Sequence, residues 1–321
     1  MRIHWNNMDE VKVSIICNTY NQGDYVEDAL RSFVEQETSF AFEVLVHDDA
    51  STDQTAEVIA RYAAQYPDIV KPYYEEVNQY TPGGLHNFYV QSARAKGKYV
   101  AICEGDDYWT DPHKLQLQYD ALESHPEIDI CVHAGDRVRP DTLESLGMVR
   151  PKQRDCIIPV EDVIMGGGAY VVTNSIFMRT EAYVHPPQAV IDFHLDYMVQ
   201  ISGAMRGGMY YIDRCMSAYR VASKGSFTSK MLGSKVKVAD HLMKVIESLN
   251  KLDEQTDYVQ TEAIKKHIDE LMLDYNAYLG RFGAAFRTDA WRRKPLGDKA
   301  RALPYMLYNS ASYKLERLRS R

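Results

Sequence analysis

The first half of this chain repeats an alternation of short β-branched runs and segments with helical spacing, and that pattern constrains the fold more than any other feature. Val11-Lys12-Val13-Ser14-Ile15-Ile16-Cys17 reads as a strand, after which Val26, Leu30, Phe33 and Val34 recur at the period of an amphipathic helix. Residues 42–46 form a second strand running into Asp48-Asp49. Ser51, Thr52 and Asp53 then stand as helix N-cap residues, and Val58, Ile59, Tyr62 and Tyr66 mark a helix that must stop at Pro67. Residues 69–74, 99–103 and 128–132 give three further strands. Strands separated by helices predict an α/β protein, a mostly parallel sheet with helices on both faces.

Three of these strands end in polar clusters: Asn18-Thr19-Tyr20-Asn21, His47-Asp48-Asp49 and Glu104-Gly105-Asp106-Asp107. Any one of them could be a turn or helix cap, because Asp and Asn favour both. Three at the same end of one sheet point instead to a binding crevice, which in such sheets lies off the carboxyl ends of the strands.

The chain has 321 residues, 45% hydrophobic and 26% charged, which excludes disorder for its bulk. Its longest apolar runs, such as Val100-Ala101-Ile102-Cys103, are far shorter than the roughly 18–20 residues of a membrane span. Asp9 and Glu10 stand where a signal peptide needs an apolar stretch, so a cytoplasmic location is expected. The five cysteines are scattered without a C-x-x-C pair, which reads as reduced packing thiols. Nine basic residues against two acidic ones between Arg292 and Arg321 give that end a net +7, leaving −15 for the remainder of a chain whose total is −8. An acidic body argues against general nucleic-acid binding, whereas the basic end invites a different partner.

From about Ser223 the pattern becomes purely helical. Leu242, Val245, Ile246, Leu249 and Leu252 share one helical face, as do Ile264, Ile268, Leu271, Met272, Tyr275 and Leu279. A helix hairpin is expected there, packed on the body or on another copy in a homo-oligomer. The expected division is a catalytic domain over 1–222 and a helical region over 223–321.

Two nucleotide-binding signatures are absent: no G-x-G-x-x-G follows the first strand, and no G-x-x-x-x-G-K-[ST] occurs. Adjacent carboxylates such as Asp106-Asp107 repel each other unless a cation sits between them and an anionic ligand. Hard oxygen donors suit Mg²⁺ or Mn²⁺, so a metal–diphosphate site is the expectation.

Four segments, in order and at matching spacing, resemble family 2 glycosyltransferases. Residues 13–21, Val-Ser-Ile-Ile-Cys-Asn-Thr-Tyr-Asn, resemble the opening strand of that family, and Asp48-Asp49-Ala50-Ser51-Thr52-Asp53-Gln54-Thr55 resembles its D-D-[GA]-S-x-D-x-T motif. Gly97-Lys98-Tyr99-Val100 resembles its G-x-Y-[IV] strand, and Glu104-Gly105-Asp106-Asp107-Tyr108-Trp109 a D-x-D variant. The resemblance covers roughly residues 11–222. It implies a GT-A fold, with a Rossmann-like nucleotide-binding sheet, and a divalent metal, Mn²⁺ or Mg²⁺. It also implies a nucleoside-diphosphate sugar donor, most often a UDP-sugar, and inversion at the anomeric carbon. Carried over by position, Thr19, Tyr20 and Asn21 line the nucleoside pocket, and Asp49 with Asp48 in support bonds the base. Asp106 faces the ribose or metal shell, Asp107 binds the metal, and Arg94 is a further nucleoside contact.

The family's base is an Asp or Glu near a helix start beyond the central sheet. Asp192 and Asp196 both fit, and the frame Asp196-Tyr197 followed by Gly208-Met209-Tyr210-Tyr211-Ile212-Asp213 selects Asp196. His194 reads as a packed histidine. Tyr219-Arg220-Val221 resembles the Y-R-x-H segment with Ala222 at the His position, leaving Lys224 or Ser226 as substitutes. Gly166-Gly167-Gly168 precedes an apparent strand over residues 169–173. The expected activity is sugar transfer to a glycan or lipid-linked acceptor in cell-surface polysaccharide synthesis. The rival reading is a non-catalytic nucleotide-sugar binder or scaffold, which need not retain Asp49, Asp106, Asp107 and Asp196. In the basic tail, Pro304 is expected to start a helix whose apolar side meets the inner membrane surface.

Overall fold

The computed structural model describes residues 10–79, 85–232 and 234–319; the expectations placed on Asp9 and Arg321 lie outside them. The chain divides into two compact units, residues 1–186 with 194–224, and residues 187–193 with 225–321.

The first unit is built on a ten-stranded sheet. Its strands are β1 (Val11–Thr19), β2 (Ala41–Asp48), β3 (Val70–Tyr74), β4 (Tyr99–Ile102), β5 (Tyr108–Trp109), β6 (Ile130–Val138), β7 (Ser145–Val149), β8 (Cys156–Ile158), β9 (Phe177–Arg179) and β10 (Met209–Arg220). The helices are α1 (Val26–Val34), α2 (Thr55–Gln65), α3 (Leu85–Arg94), α4 (Lys114–Ser124), α5 (Val160–Gly166), α6 (Thr180–Val184) and, after a segment that belongs to the second unit, α8 (Asp196–Ala204). The order is β3-β2-β1-β4-β9-β6-β10-β5, with β7 added to β6 and β8 to β10.

The sheet is mixed, which corrects the mostly parallel arrangement expected from the alternation. β1, β2, β3 and β4 are mutually parallel. β9, however, runs antiparallel to both β4 and β6, and β5, β7 and β8 also pair antiparallel. These strands hold two to five residues and follow turns rather than crossover helices, so no periodicity announces them. The residues after Gly167 are not a strand either: Gly167 has φ 66° and closes α5, and Thr173–Ser175 is a 3₁₀ turn.

The apolar residues of α1 fall one turn apart, and Val26, Leu30 and Phe33 are fully buried with Ile15, Cys17, Val44 and Ala101 in one core. Gly97 lies where the chain enters β4, against the backbone of β1. A Cβ there would come within 2.6 Å of the Ser14 nitrogen and 2.7 Å of the Val13 carbonyl carbon. The Ser14 hydroxyl organises that junction, donating to Glu43 at 2.7 Å and accepting from the Gly97 amide at 2.9 Å. All five cysteines are free thiols, with Cys17, Cys103 and Cys131 buried.

The second unit holds α7 (Gln188–Asp192), α9 (Phe227–Leu232), α10 (Lys235–Gln255), α11 (Thr261–Tyr278), α12 (Phe282–Ala285), α13 (Asp289–Arg293) and α14 (Leu296–Arg319). α10 and α11 pack together as the hairpin their periodicity predicts, burying Val245, Leu249, Leu252 and Ile264. Ser234 caps α10 by accepting from the Lys237 amide. Leu273, Ala277, Ala285, Ala290 and Met306 form a smaller core. Pro304 does not start a helix: α14 begins at Leu296 and carries Pro304 inside it. The carbonyl that loses its partner belongs to Ala300, which is exposed, so water can satisfy it. Among the described residues no helix is long and apolar enough to cross a membrane.

The Gly97 contacts are with backbone, which cannot step aside. Gly97→Ala is expected to lower unfolding free energy by about 1–3 kcal/mol in urea titrations, as overpacking does. Gly297→Ala, where a Cβ meets nothing within 4 Å inside a helix, should leave stability equal or raise it by up to about 1 kcal/mol.

Candidate active site

Strand order reverses at β1, which pairs with β2 on one side and β4 on the other. A crevice opens off the carboxyl ends of strands at such a point, and here it lies between the ends of β1 and β4. One wall is an interlocked pair of turns. Thr19 is buried and its hydroxyl reaches both the His47 carbonyl and the Asp48 carboxylate at 3.1 Å. Asp48 also accepts the Ser51 hydroxyl at 2.5 Å, and Ser51 in turn accepts the Asn21 amide at 2.8 Å. Asn21 accepts the Thr52 amide at 2.8 Å. Asp53 accepts from the Gly23 amide at 2.9 Å and the Thr55 amide at 3.0 Å, so it caps the start of α2. Asn21 and Ala50 both have positive φ, 51° and 57°; Asn tolerates this region, whereas Ala50 is held there at a cost of about 1–2 kcal/mol.

Thus Thr19, Asn21 and Asp48 largely build the wall. Asp49 is buried and accepts the Gln79 amide at 2.6 Å, fixing the segment after β3. Tyr20 is 45% exposed and leaves its ring available to a ligand. His47, the first residue of its cluster, turns to Glu75, whose carboxylate takes His47 at 3.0 Å and His86 at 2.6 Å.

The opposite wall is the turn after β4. Glu104 accepts the Asn18 amide at 3.0 Å and its side-chain nitrogen at 3.3 Å. Gly105 then passes close to β1, where a Cβ would sit 2.5 Å from Thr19 Cγ2 and 2.6 Å from Gln22 Oε1. That approach carries Asp106 and Asp107 into the crevice floor. Burial pushes Glu104 up to about 8, and Asp196 and Asp106 add repulsion. Burial likewise raises Asp106, and it raises Asp107 further with Asp106 beside it.

The two aspartates differ in what holds them. Asp107 is 3% exposed and accepts the Arg220 amide at 2.8 Å, which ties the turn to the end of β10. Asp106 is half-buried and accepts the Ser223 hydroxyl. Asp107, the residue expected to bind metal, is the more buried of the two and has one carboxylate oxygen taken by the Arg220 amide, whereas Asp106 is the more exposed. Arg220 is 2% exposed; it donates to the Asp106 carbonyl at 2.8 Å and to Asp28 at 2.5 Å, and lies over the Tyr25 and Tyr108 rings. Its guanidinium is thus spent on Asp28 and a carbonyl, and the crowded acids remain undercompensated. A hard divalent cation fits this donor set, with Asp106 as carboxylate ligand.

Asp196 is the first residue of α8, exposed, and accepts the Thr173 hydroxyl at 2.5 Å. Its negative charge is among the causes that raise Glu104. Asp192 lies in the second unit, bonded to Gln188 at 2.8 Å and Lys251 at 3.1 Å. His194 packs against Phe88, and burial lowers it from the ordinary histidine value. Arg94 is not brought to the crevice. At the last position of α3 it donates to Gln91 at 3.1 Å and the Lys71 carbonyl at 2.5 Å, near the starting end of β3. Lys224 is exposed and Ser226 accepts from the Ser229 amide at 3.2 Å. Sequence reasoning placed Glu104 and Arg220 in motifs without giving either a role, and gave none to Ser223 or Thr173. Arg220 and Ser223 flank the gap left by Ala222, which was a usable signal; Thr173 had none.

Residues 14–175 match the family model described as glycosyl transferase family 2. An uncharacterized protein of Mycobacterium tuberculosis is 34% identical over 224 residues, covering 68% of this chain and 61% of the relative. The chain therefore spans about three fifths of that relative's length. The poly(ribitol-phosphate) beta-N-acetylglucosaminyltransferase TarS of Staphylococcus aureus is 35% identical over 99 residues, 30% of this chain and 17% of TarS. Among solved structures, S. aureus TarS with UDP-GlcNAc superposes with a TM-score of 0.61 at 18% identity, covering 90% of this chain and 78% of that one. A mannosyltransferase of Pyrobaculum calidifontis with GDP-Man and Mn²⁺ superposes with a TM-score of 0.56 at 17% identity, covering 97% and 88%.

Glu104 gives a pH dependence with a fixed sign. The folded protein holds its proton more tightly than the ordinary glutamate value of 4.5, so this contribution to stability is full below that pH and is lost as pH rises through about 8. Glu104→Gln should flatten the decline of unfolding free energy across this window, measured by urea denaturation with chelator present. An unchanged decline in the variant would assign it to other groups.

Proposed function

Because the chain belongs to glycosyl transferase family 2, we propose that it is an inverting, metal-dependent transferase. It moves a sugar from a UDP-sugar donor to a hydroxyl of a glycan or lipid-linked acceptor in cell-surface polysaccharide synthesis. Its fold is GT-A, as in the superposed transferases. The observation that supports the reading is the acid turn Glu104-Gly105-Asp106-Asp107 at the end of β4, beside the point where strand order reverses, held by Asn18, Ser223 and the Arg220 amide. The UDP-GlcNAc in TarS supports uridine as the nucleoside, and the Mn²⁺ in the mannosyltransferase supports a divalent ion.

In this reading Tyr20 lies against the base, with Thr19, Asn21 and Asp48 shaping its pocket and Asp49 bonding its edge. Asp106 holds the metal and Asp107 holds the turn that aims it. A divalent ion held there offsets the charge that gathers on the departing diphosphate. Asp196, outside the metal shell and anchored by Thr173, takes the proton of the acceptor hydroxyl as it attacks the anomeric carbon from the face opposite the leaving group. Such base assistance contributes about 10²–10⁴-fold. Glu104 kept protonated avoids a fourth negative charge beside the diphosphate.

The class of reaction is tested by donor hydrolysis across UDP-, GDP- and dTDP-sugars with and without Mn²⁺; metal-dependent release of UDP is expected, and undiminished turnover in EDTA would refute the metal role. Mn²⁺ should raise the melting temperature of the wild type and of Asp107→Asn but not of Asp106→Asn, since only a lost ligand removes the linkage. Asp106→Asn should also lose transfer by about two orders of magnitude or more.

The base assignment separates binding from turnover. Asp196→Asn should abolish transfer while leaving metal-dependent UDP-sugar affinity, read by calorimetry, within about threefold of wild type, because a general base touches acceptor only. Asp192→Asn removes an exposed pairing with Lys251 and should keep most activity. The opposite ranking of the two variants would move the base to Asp192.

A further inference from the structure

α14 presents two apolar faces, and only one of them is used. Met306, Asn309, Ser310 and Tyr313 recur at three- and four-residue spacing and are buried within the second unit. Pro304, Leu307, Tyr308, Ala311, Leu315 and Leu318 repeat the same spacing on a different side of the helix and are all exposed. Leu307 is 56% exposed, Tyr308 64%, Leu315 56% and Leu318 68%, so the stripe is not covered by any of the described residues.

Its edges carry more basic than acidic residues. Arg301 and Arg319 are 18 residues apart, which is five full turns, so they line the same edge of the stripe, next to Tyr308 and Leu315. Lys314 borders the other edge and is exposed. The two acids of the helix, Asp298 and Glu316, are likewise 18 residues apart and share a side turned away from the stripe. Glu316 is further committed to the start of α10, accepting the Ser234 hydroxyl and the Lys235 amide at 2.7 Å. Asp298 lies 3.8 Å from Arg301 at one end of the arginine edge, whereas no carboxylate of α14 is paired with Arg319 or Lys314 among the described residues. Arg292 and Arg293 of the preceding α13 are exposed but paired, with Asp289 at 3.3 Å and Asp269 at 3.7 Å, and add no net charge.

We propose that the outer face of α14 docks on an anionic lipid bilayer, lying in the interface with Leu307, Leu315 and Leu318 among the acyl chains and Arg301 and Arg319 on lipid phosphates. An apolar stripe edged with basic residues is what an interfacial helix requires. A second copy of the same face fits poorly, because a self-complementary pairing would set arginine edges against each other with only Asp298, beside Arg301, to offset them. The helix is also not of a kind that could cross the membrane. This inference rests on exposure and charge alone and is independent of the sugar chemistry.

The test is co-sedimentation of the full chain with vesicles of phosphatidylcholine alone or with phosphatidylglycerol at about one third of the lipid. Binding to the anionic vesicles should exceed binding to neutral ones by about tenfold or more and fall sharply in about 0.5 M salt. A combined Leu307→Gln, Leu315→Gln and Leu318→Gln variant should lose about tenfold or more of that binding with unchanged circular dichroism and melting temperature, since none of the three side chains is packed. Arg301→Glu with Arg319→Glu should do the same. Tyr308→Trp should show a blue-shifted emission on adding anionic vesicles only. Failure of the wild type to sediment with anionic vesicles, equal binding by the glutamine variant, or an emission that does not move would each overturn the proposal. A lipid-free dimer that the glutamine variant converts to monomer would overturn it in favour of a second copy.

Discussion

Placing several carboxylates at the end of one strand out of full contact with water is the constraint around which the first unit is arranged. Glu104, Asp106 and Asp107 fall within four consecutive positions after β4, and burial raises all three. Buried anions without partners are costly, so each is given donors. Asn18 supplies two to Glu104, Ser223 one to Asp106 and the Arg220 amide one to Asp107. The last two come from more than a hundred residues further along the chain. β10 therefore does more than extend the sheet: its end delivers the groups that hold the acid turn in place. A cluster so held, still short of positive charge, is maintained at the cost of folding stability.

The other wall follows a different logic. Between β1 and β2 the polar residues mostly satisfy one another: Thr19 with Asp48, Asn21 with Ser51 and Thr52, Gln22 with Thr55, Gly23 with Asp53. Such closed networks rigidify the loops that carry them. The exposed ring of Tyr20 and the half-exposed Asp106 are what the frame leaves open to a ligand. Motif residues thus split into those that face a ligand and those that make the facing possible, and the second group is the larger.

The second unit is stabilised by helix packing alone. α10 and α11 bury their apolar faces against each other, and α14 adds Met306 and Tyr313 from one side. Because a 24-residue helix can display more than one stripe, its remaining apolar residues point outward with arginines beside them. That surplus is the feature which distinguishes this helix from a solvated tail, whose outer face would be polar.

Sequence alone determined the parallel strands β1 to β4, the α10–α11 hairpin and the position of the polar clusters, because these depend on local periodicity and on strand ends that recur at fixed spacing. It also identified the family, through short motifs whose spacing is set by close backbone approaches such as Gly97 on Ser14 and Gly105 on Thr19. Tertiary structure alone decided that β9 inserts antiparallel and makes the sheet mixed, since a three-residue strand has no period to read. It decided that Asp106 is more exposed than Asp107, because adjacent carboxylates are equivalent until a distant backbone amide claims one of them. It removed Arg94 from the site, because a helix antiparallel to its strands puts its last turn at the wrong end of the sheet. Periodicity reports which residues share a face, but which of two faces is covered depends on partners far away in the chain, as Met306 and Leu307, neighbours in sequence, make plain.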